Sequence, residues 1–288
     1  MNLLQLRYFL EVCETGSINK TAKKLFISQP SLSQTIKSLE KEVGADLFTR
    51  TNSCIRLNEN GEIFKKYAEE CLTALSNGKK AIQDNMNTAS KLTLSYRAAT
   101  GMLPDIITGF RKQNPDVQLI INQADITDSS AKSDLYVFAS DFPVKNECCI
   151  TLLVEDCLIG MSSENPLTSC DIIRPELLKN ETFLTLQGNT PLSRLTHSFC
   201  EQGGFYPKVS LELDTREIIF SMISIGEGVA IIPEKTWAPL ISDSRIALRK
   251  TETPPQRYIN LQWKNNAYIS KGMKLMTDFL KTHFSAVV

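Results

Sequence analysis

Long apolar runs are missing from this chain. Nowhere do about 20 consecutive apolar residues occur, so no membrane-spanning helix is expected. The opening Met1-Asn2-Leu3-Leu4-Gln5-Leu6-Arg7 also lacks the basic start and unbroken apolar core of a secretion signal. A cytoplasmic location with no membrane partner is the expectation. Histidine is scarce, with only His197 and His283, and the eight cysteines form no Cys-x-x-Cys pair and no zinc-like spacing with them. No metal and no cofactor is expected. There is no Gly-x-Ser-x-Gly and no phosphate loop, and the single Gly226-Glu227-Gly228 is explained by a turn. No catalytic residue is assigned, and the expectation is that the chain is not an enzyme. An excess of charge is missing too: 32 Lys and Arg balance 32 Asp and Glu, which argues against a nucleic-acid binder relying on bulk charge.

The chain does have local order. Its 288 residues, 42% of them hydrophobic, can hold a small domain and a larger one with its own core. Residues 1–58 carry eight basic side chains (Arg7, Lys20, Lys23, Lys24, Lys37, Lys41, Arg50, Arg56) against five acidic ones (Glu11, Glu14, Glu40, Glu42, Asp46). Within that segment Leu6, Phe9, Leu10 and Cys13 share one helical face, and Ile18, Ala22 and Leu25 share another after Gly16-Ser17. A third helix opens at Ser28-Gln29-Pro30-Ser31, with Ser28 as N-cap and Pro30 in the first turn. It buries Leu32, Ile36, Leu39 and Val43, and stops at Gly44. Pro30, Ser33, Gln34, Lys37 and Lys41 fall on the opposite face, with Gln29 on its flank.

That is the layout of a helix-turn-helix, whose second helix can present side chains to base edges in the major groove. Leu47 to Leu57 then reads as a small hairpin turning at Asn52-Ser53, with Arg50 and Arg56 on its arms. It is a candidate wing: either Phe48, Ile55 and Leu57 cap the small core and the arginines are ordinary surface charges, or the arginines meet the DNA backbone. Beside the recognition-like helix, the second reading is preferred.

From Asn58 to Met86 one long helix is expected, with Phe64, Ala68, Cys71, Leu75, Gly78 and Ile82 close to a heptad seam. Such a seam either packs on its own domain or pairs with a second copy; after a winged domain it reads as a dimerising linker. Two-fold pairing would present two recognition helices to a partly palindromic site in double-stranded DNA. Asn85 to Ser90 then reads as a hinge.

Beyond it, strand patterns at 92–96, 117–121 and 135–138, with a helix from about Met102 to Lys112, give a βαβ order and a mostly parallel sheet. Ligands collect at the carboxyl ends of such strands, where Arg97-Ala98-Ala99-Thr100-Gly101 lies before a helix whose free N–H groups favour anions. Thr100 is either a ligand contact or only an N-cap. A second unit places Gln187-Gly188-Asn189-Thr190 after a strand at 183–186 and before a helix near Leu192; a helix at 218–225 and a buried strand at 229–233 follow.

Residues Asn2 to Gly61, from Leu3-Leu4-Gln5-Leu6-Arg7-Tyr8-Phe9 through Ser28-Gln29-Pro30-Ser31-Leu32-Ser33 to Leu47-Phe48-Thr49-Arg50, resemble the DNA-binding domain of LysR-type transcriptional regulators. The resemblance implies that Gln29, Pro30, Ser33 and Gln34, with Ser31 beside them, and Lys37 address the major groove, and that Arg50 and Arg56 of the wing approach the backbone or minor groove. It departs at Gln34, where many members carry arginine. The rest is similar, more loosely, to the family's periplasmic-binding-protein-like effector domain. The implied architecture is α/β with an all-α N-terminal part. A winged helix-turn-helix at 1–58 is followed by a linker helix and hinge at 59–90, and by a two-subdomain α/β effector domain at 91–288. Subdomain one would be 91–161 with 267–288, and subdomain two 162–266.

By the same resemblance Thr100, Gly101, Ser140 and Gln187, Gly188, Asn189 and Thr190 would line a cleft for a small, possibly anionic effector. Arg97 either pairs with a carboxylate of that effector or is a solvated surface charge. The stretch from Ala124 to Ser133 is shorter than the usual helix-bearing segment. The implied activity is sequence-specific transcriptional regulation by a homodimer through the linker helix, assembling as a homotetramer. The alternative is a thiol redox-sensing regulator of the same architecture, for which Cys200 is the candidate although no cysteine follows it in the chain.

Overall fold

The computed structural model describes residues 1–50, 55–86, 91–123 and 133–286. It divides the chain into two compact units, one of residues 1–88 with 266–268 and one of 89–265 with 269–288.

In the first unit, α1 (Leu3–Thr15), α2 (Ile18–Lys24) and α3 (Gln29–Val43) each begin at a residue whose side chain accepts a backbone N–H three positions on: Asn2, Ser17 and Ser28. Asn2 and Gln5 cap each other reciprocally. α1 and α3 end at Gly16 and Gly44 in the left-handed region. The turn from α2 to α3 has Phe26 in that region instead, at φ 55°. Its N–H donates to Lys23 O and that of Ile27 to Ala22 O, the paired bonds of a helix end that normally carries glycine. For an ordinary residue the left-handed backbone costs roughly 1–2 kcal/mol.

Phe9, Val12, Leu32, Ile36, Leu39 and Leu47 close the core with no exposed surface. β1 (Phe48–Arg50) pairs antiparallel with β2 (Ile55–Leu57), bringing Phe48 and Ile55 into that core. The expected Asn52-Ser53 turn, Cys54, the hinge residues 87–90 and the segment 124–132 lie outside the described residues, as does the Arg50 side chain.

α4 (Glu59–Asn85) is capped by Asn58 and starts so close to the wing that a Cβ on Gly61 would sit 2.1 Å from Leu47 O. The expected seam is corrected at its start. Phe64 and Ala68 pack into the winged core, while Ile63, Tyr67, Cys71, Leu75 and Ile82 form the exposed apolar row. The i+4 step one residue earlier escapes the core because Phe64 is drawn to Phe9 at 5.2 Å.

The second unit holds two cores built around one long strand. β3 (Lys91–Tyr96), α5 (Leu103–Gln113), β4 (Gln118–Gln123) and β5 (Leu135–Ser140) form the expected parallel βαβ unit, with order β4-β3-β5. β6 (Cys149–Ser162) then runs through both cores: Leu152 and Leu153 lie in the first, Cys157, Ile159 and Met161 in the second. The second core adds β7 (Ile172–Ile173), β8 (Thr182–Leu186), α6 (Pro191–Gln202), β9 (Lys208–Leu213), α7 (Arg216–Ser224), β10 (Ala230–Pro233) and β11 (Ile246–Thr251). β10 and β11 pair antiparallel with the second half of β6, and β8 and β9 pair parallel.

β12 (Gln256–Gln262) returns between β5 and the first half of β6, antiparallel to both, and α8 (Lys271–Ser285) covers the first core. The sheet is therefore mixed, not mostly parallel. The boundaries expected at 161 and 267 also move: 157–161 belong to the second core and 256–262 to the first, so the chain crosses near 156 and again between 251 and 256.

Candidate functional site

On the winged unit the outer row of α3 is accessible. Gln29, Pro30, Ser31, Gln34 and Lys37 are exposed, Ser33 is half-buried, and Arg56 is exposed on β2. The row stands out because its opposite face is pinned. Leu32, Ile36 and Leu39 are fully buried, and Ser28 fixes the first turn by accepting the Ser31 N–H at 3.3 Å. Ser31 is further occupied through its carbonyl, which accepts the Thr35 hydroxyl.

The wing is tied to the far end of the same helix by Glu40, a buried residue absent from the expectations. Its Oε1 accepts the N–H groups of Leu47 at 3.0 Å and Phe48 at 3.3 Å. The sequence signal was faint, an acidic residue between Leu39 and Lys41 facing inward rather than outward. Its effect is to set the wing and the recognition row at a fixed spacing.

In the α/β unit the loop after β3 places the expected strand-end residues. Ala99 adopts φ 55°, and Thr100 opens a 3-10 turn ending at Met102 before α5 begins. The N–H groups of Met102 and Leu103 are bonded to Ala99 O and Thr100 O, so the helix entrance is less open to an anion than its sequence suggests. The Thr100 hydroxyl accepts from Arg216 Nη1 at 2.5 Å, and Gly101 lies against Leu240, where a Cβ would come within 2.7 Å of a Leu240 methyl.

Across from them, Gln187, Gly188 and Asn189 are exposed, and Thr190 caps α6 by accepting the Ser193 N–H. Asn189 accepts from Arg194 Nη1 through its carbonyl and its side chain. Arg194 in turn grips Asp141 with Nε and Nη2, and holds that carboxyl below its ordinary value. Among the described residues, the contacts that join the two cores include Arg216 to Thr100, Arg194 to Asp141 and Leu240 to Gly101.

Two expected residues are spent elsewhere. Ser140 is buried, donating to Phe142 O at 2.7 Å and accepting from Asn260 at 2.8 Å, so its hydroxyl belongs to an internal network. Arg97 is exposed, and its positive charge acts on Tyr136. The missed residues are Asp141, Arg194 and Arg216, with the buried pair Glu155 and Arg257 on the crossing strands. Glu155 accepts the N–H groups of Lys235 and Thr236 and the Thr236 hydroxyl, and faces Arg257 at 3.6 Å. Arginines in the first turns of α6 and α7, just after polar loops, were the available signal.

Among the described residues no group of His, Cys, Asp and Glu could hold a metal ion. Cys200 is fully buried, and burial pushes its thiol up to about 12, the reverse of what a reactive thiolate needs. Among the described residues, no helix is long and apolar enough to cross a membrane.

Family models match both units. The LysR substrate binding domain matches residues 89–285, and the bacterial regulatory helix-turn-helix protein of the lysR family matches 3–62. The chain belongs to the LysR family. It is a DNA-binding transcriptional regulator with an effector-binding domain of mixed α/β fold.

Among relatives of this LysR-type regulator, the uncharacterized HTH-type transcriptional regulator YybE of Bacillus subtilis is 26% identical over 98% of each chain. The HTH-type transcriptional regulator AlsR of Bacillus subtilis is 28% identical over 91% of this chain and 89% of its own. A solved full-length OxyR from Pseudomonas aeruginosa shares the fold with a TM-score of 0.69 at 22% identity, covering 98% of this chain and 95% of that one.

Proposed function

We propose that α3 reads bases with Gln29, Pro30, Ser33 and Gln34, with Ser31 beside them at the helix start. Lys37, Arg50 and Arg56 hold the DNA backbone. The exposed row on a helix pinned from behind carries this assignment. Dimerisation through the exposed row of α4 sets two such helices against a partly palindromic site, and effector-domain contacts extend the assembly to a homotetramer. The protein works in the cytoplasm as a regulator, not an enzyme.

Selection of random duplex DNA on the purified protein tests this reading. One partly symmetric motif is expected, lost with Gln29→Ala, its binding weakening steeply as salt rises. An unchanged motif with Gln29→Ala would remove α3 from base reading.

The effector site lies between the two cores of the α/β unit, lined by Thr100, Gly101, Gln187, Gly188 and Asn189, with Thr190 at its edge. Arg216 and Arg194 supply the positive groups, so the effector is a small anion. What supports this is that both arginines are aimed at polar partners across the junction, Thr100 and Asp141, which an incoming carboxylate can replace. Ser140 stabilises the strand end without touching the ligand, and Arg97 is peripheral. Binding changes regulation only through unequal affinity for the two arrangements of the cores. Thermal-shift screening with small carboxylates, repeated on Arg216→Ala, checks the site; a hit unaffected by that change places the ligand elsewhere.

A further inference from the structure

Phe26 breaks two local rules at once. Its backbone occupies the left-handed region at φ 55°, where glycine or asparagine costs least, and its side chain is 96% exposed. The helix end around it is otherwise complete: both closing hydrogen bonds form, and Ile27 packs into the core beside Ala22. Among the described residues nothing covers the ring, and glycine would satisfy the same turn. An outlier of that kind points to a role outside the folded monomer.

Its position says where. Phe26 stands two residues before Ser28, the N-cap of α3, between the exposed Lys23 at the end of α2 and the exposed Gln29 at the start of α3. The exposed residues beside it in the chain, Lys23, Lys24, Ser28 and Gln29, are basic or polar, not the run of exposed apolar side chains that a protein partner covers. An aromatic ring isolated among such groups matches DNA, where phenylalanine can pack on the 5-methyl group of thymine at the floor of the major groove.

We propose that Phe26 is a DNA-contacting residue whose ring makes an apolar contact at the edge of the major groove, with a thymine methyl or with deoxyribose carbons, at the outer end of the segment read by α3. The proposal rests on the placement of α3 in the groove, and the two are tested separately. The probe is a duplex enriched from a random pool by the wild-type protein. Phe26→Gly lowers affinity for it about five- to tenfold while the melting temperature stays at or above that of wild type. Phe26→Tyr retains most of the affinity.

Replacing each motif thymine in turn by deoxyuracil distinguishes the two sources. If one replacement weakens wild type and leaves Phe26→Gly indifferent, the ring meets that methyl. If none does and Phe26→Gly is still weak, the contact is to sugar carbons. Phe26→Gly binding as tightly as wild type overturns the proposal. Gln29→Ala on the same duplex reports on α3 itself: retained binding there removes the groove placement and the Phe26 contact that rests on it, whereas loss there with full binding by Phe26→Gly overturns the Phe26 contact alone.

Discussion

The winged unit and the α/β unit solve the same problem, fixing polar side chains, over different distances along the chain. In the first, the side chains that shape the helices bond to groups three residues away, as Asn2, Ser17, Ser28 and Asn58 do. Glu40 reaches only seven and eight residues. In the second, the decisive bonds span 53 residues for Arg194 and Asp141, 81 for Glu155 and Thr236, 116 for Arg216 and Thr100, and 120 for Ser140 and Asn260. Local bonds shape the winged reading head, and long-range side-chain bonds of that unit, Asn77 to Asn266 and Tyr268, lie farther along α4. Distant bonds make a domain whose two cores are joined by contacts another molecule can take over.

The largest expected effect attacks a distant bond. Glu155→Leu leaves Arg257 buried without a counter-charge and the N–H groups of Lys235 and Thr236 without an acceptor, and should cost about 3–5 kcal/mol in urea unfolding. Combining it with Arg257→Met should recover most of that loss. If the double variant is no better than the single one, the pair is not coupled, and the contrast between the units weakens.

Glu40→Ala makes the corresponding cut in the winged unit and should cost about 1–3 kcal/mol, since two buried N–H groups lose one acceptor. It should also lower DNA affinity through the wing, measurable by a binding titration alongside Arg56→Ala. Ser28→Ala removes a strictly local bond, with an expected loss of about 1 kcal/mol and no change in effector binding. An altered effector response would mean that the local and distant sets are not separate.

The smallest effect belongs to the partly exposed Arg194–Asp141 pair, worth at most about 1 kcal/mol. Asp141 is held below its ordinary value of 3.8 by Arg194, so the pair contributes fully above that pH and the contribution disappears as pH falls through the lowered value. Asp141→Asn should therefore narrow the stability difference from wild type as the pH drops below about 4 in thermal melts.

The same contrast decided what could be read from the chain. The caps, the buried stripe of α3 and its exposed row are local patterns and were legible at Ser28, Leu32, Ile36 and Gln29, except at the stripe's last position, where Val43 is exposed and the inward place is taken by Glu40. The βαβ order of β3, α5 and β4 was legible for the same reason. The long β6 was not, because its near-continuous apolar run Cys149–Ser162 has no periodicity to interpret, and nothing local says that it is shared between two cores. Thr100 and Asn189 were found as strand-end residues, yet the only local sign of the arginines that hold them is a position in the first turns of α7 and α6, and nothing near Thr100 points to Arg216, 116 residues on. Ser140 was placed at the right strand end but turned inward, toward Asn260 on a strand 120 residues later. The start of the exposed row on α4 falls one residue earlier than expected, at Ile63 and Tyr67, since only the packed core shows that Phe64 and Ala68 are already taken.

β6 also sets the order in which the molecule can be completed. The strand that fills the gap between β5 and β6, and the helix that covers that core, are the last two elements of the chain. During synthesis the reading head can therefore finish early, while the first α/β core waits with an open edge and an uncovered face until the entire second core has emerged. A truncation that removes only β12 and α8 would therefore damage the half of the domain that is made first, not the half made last.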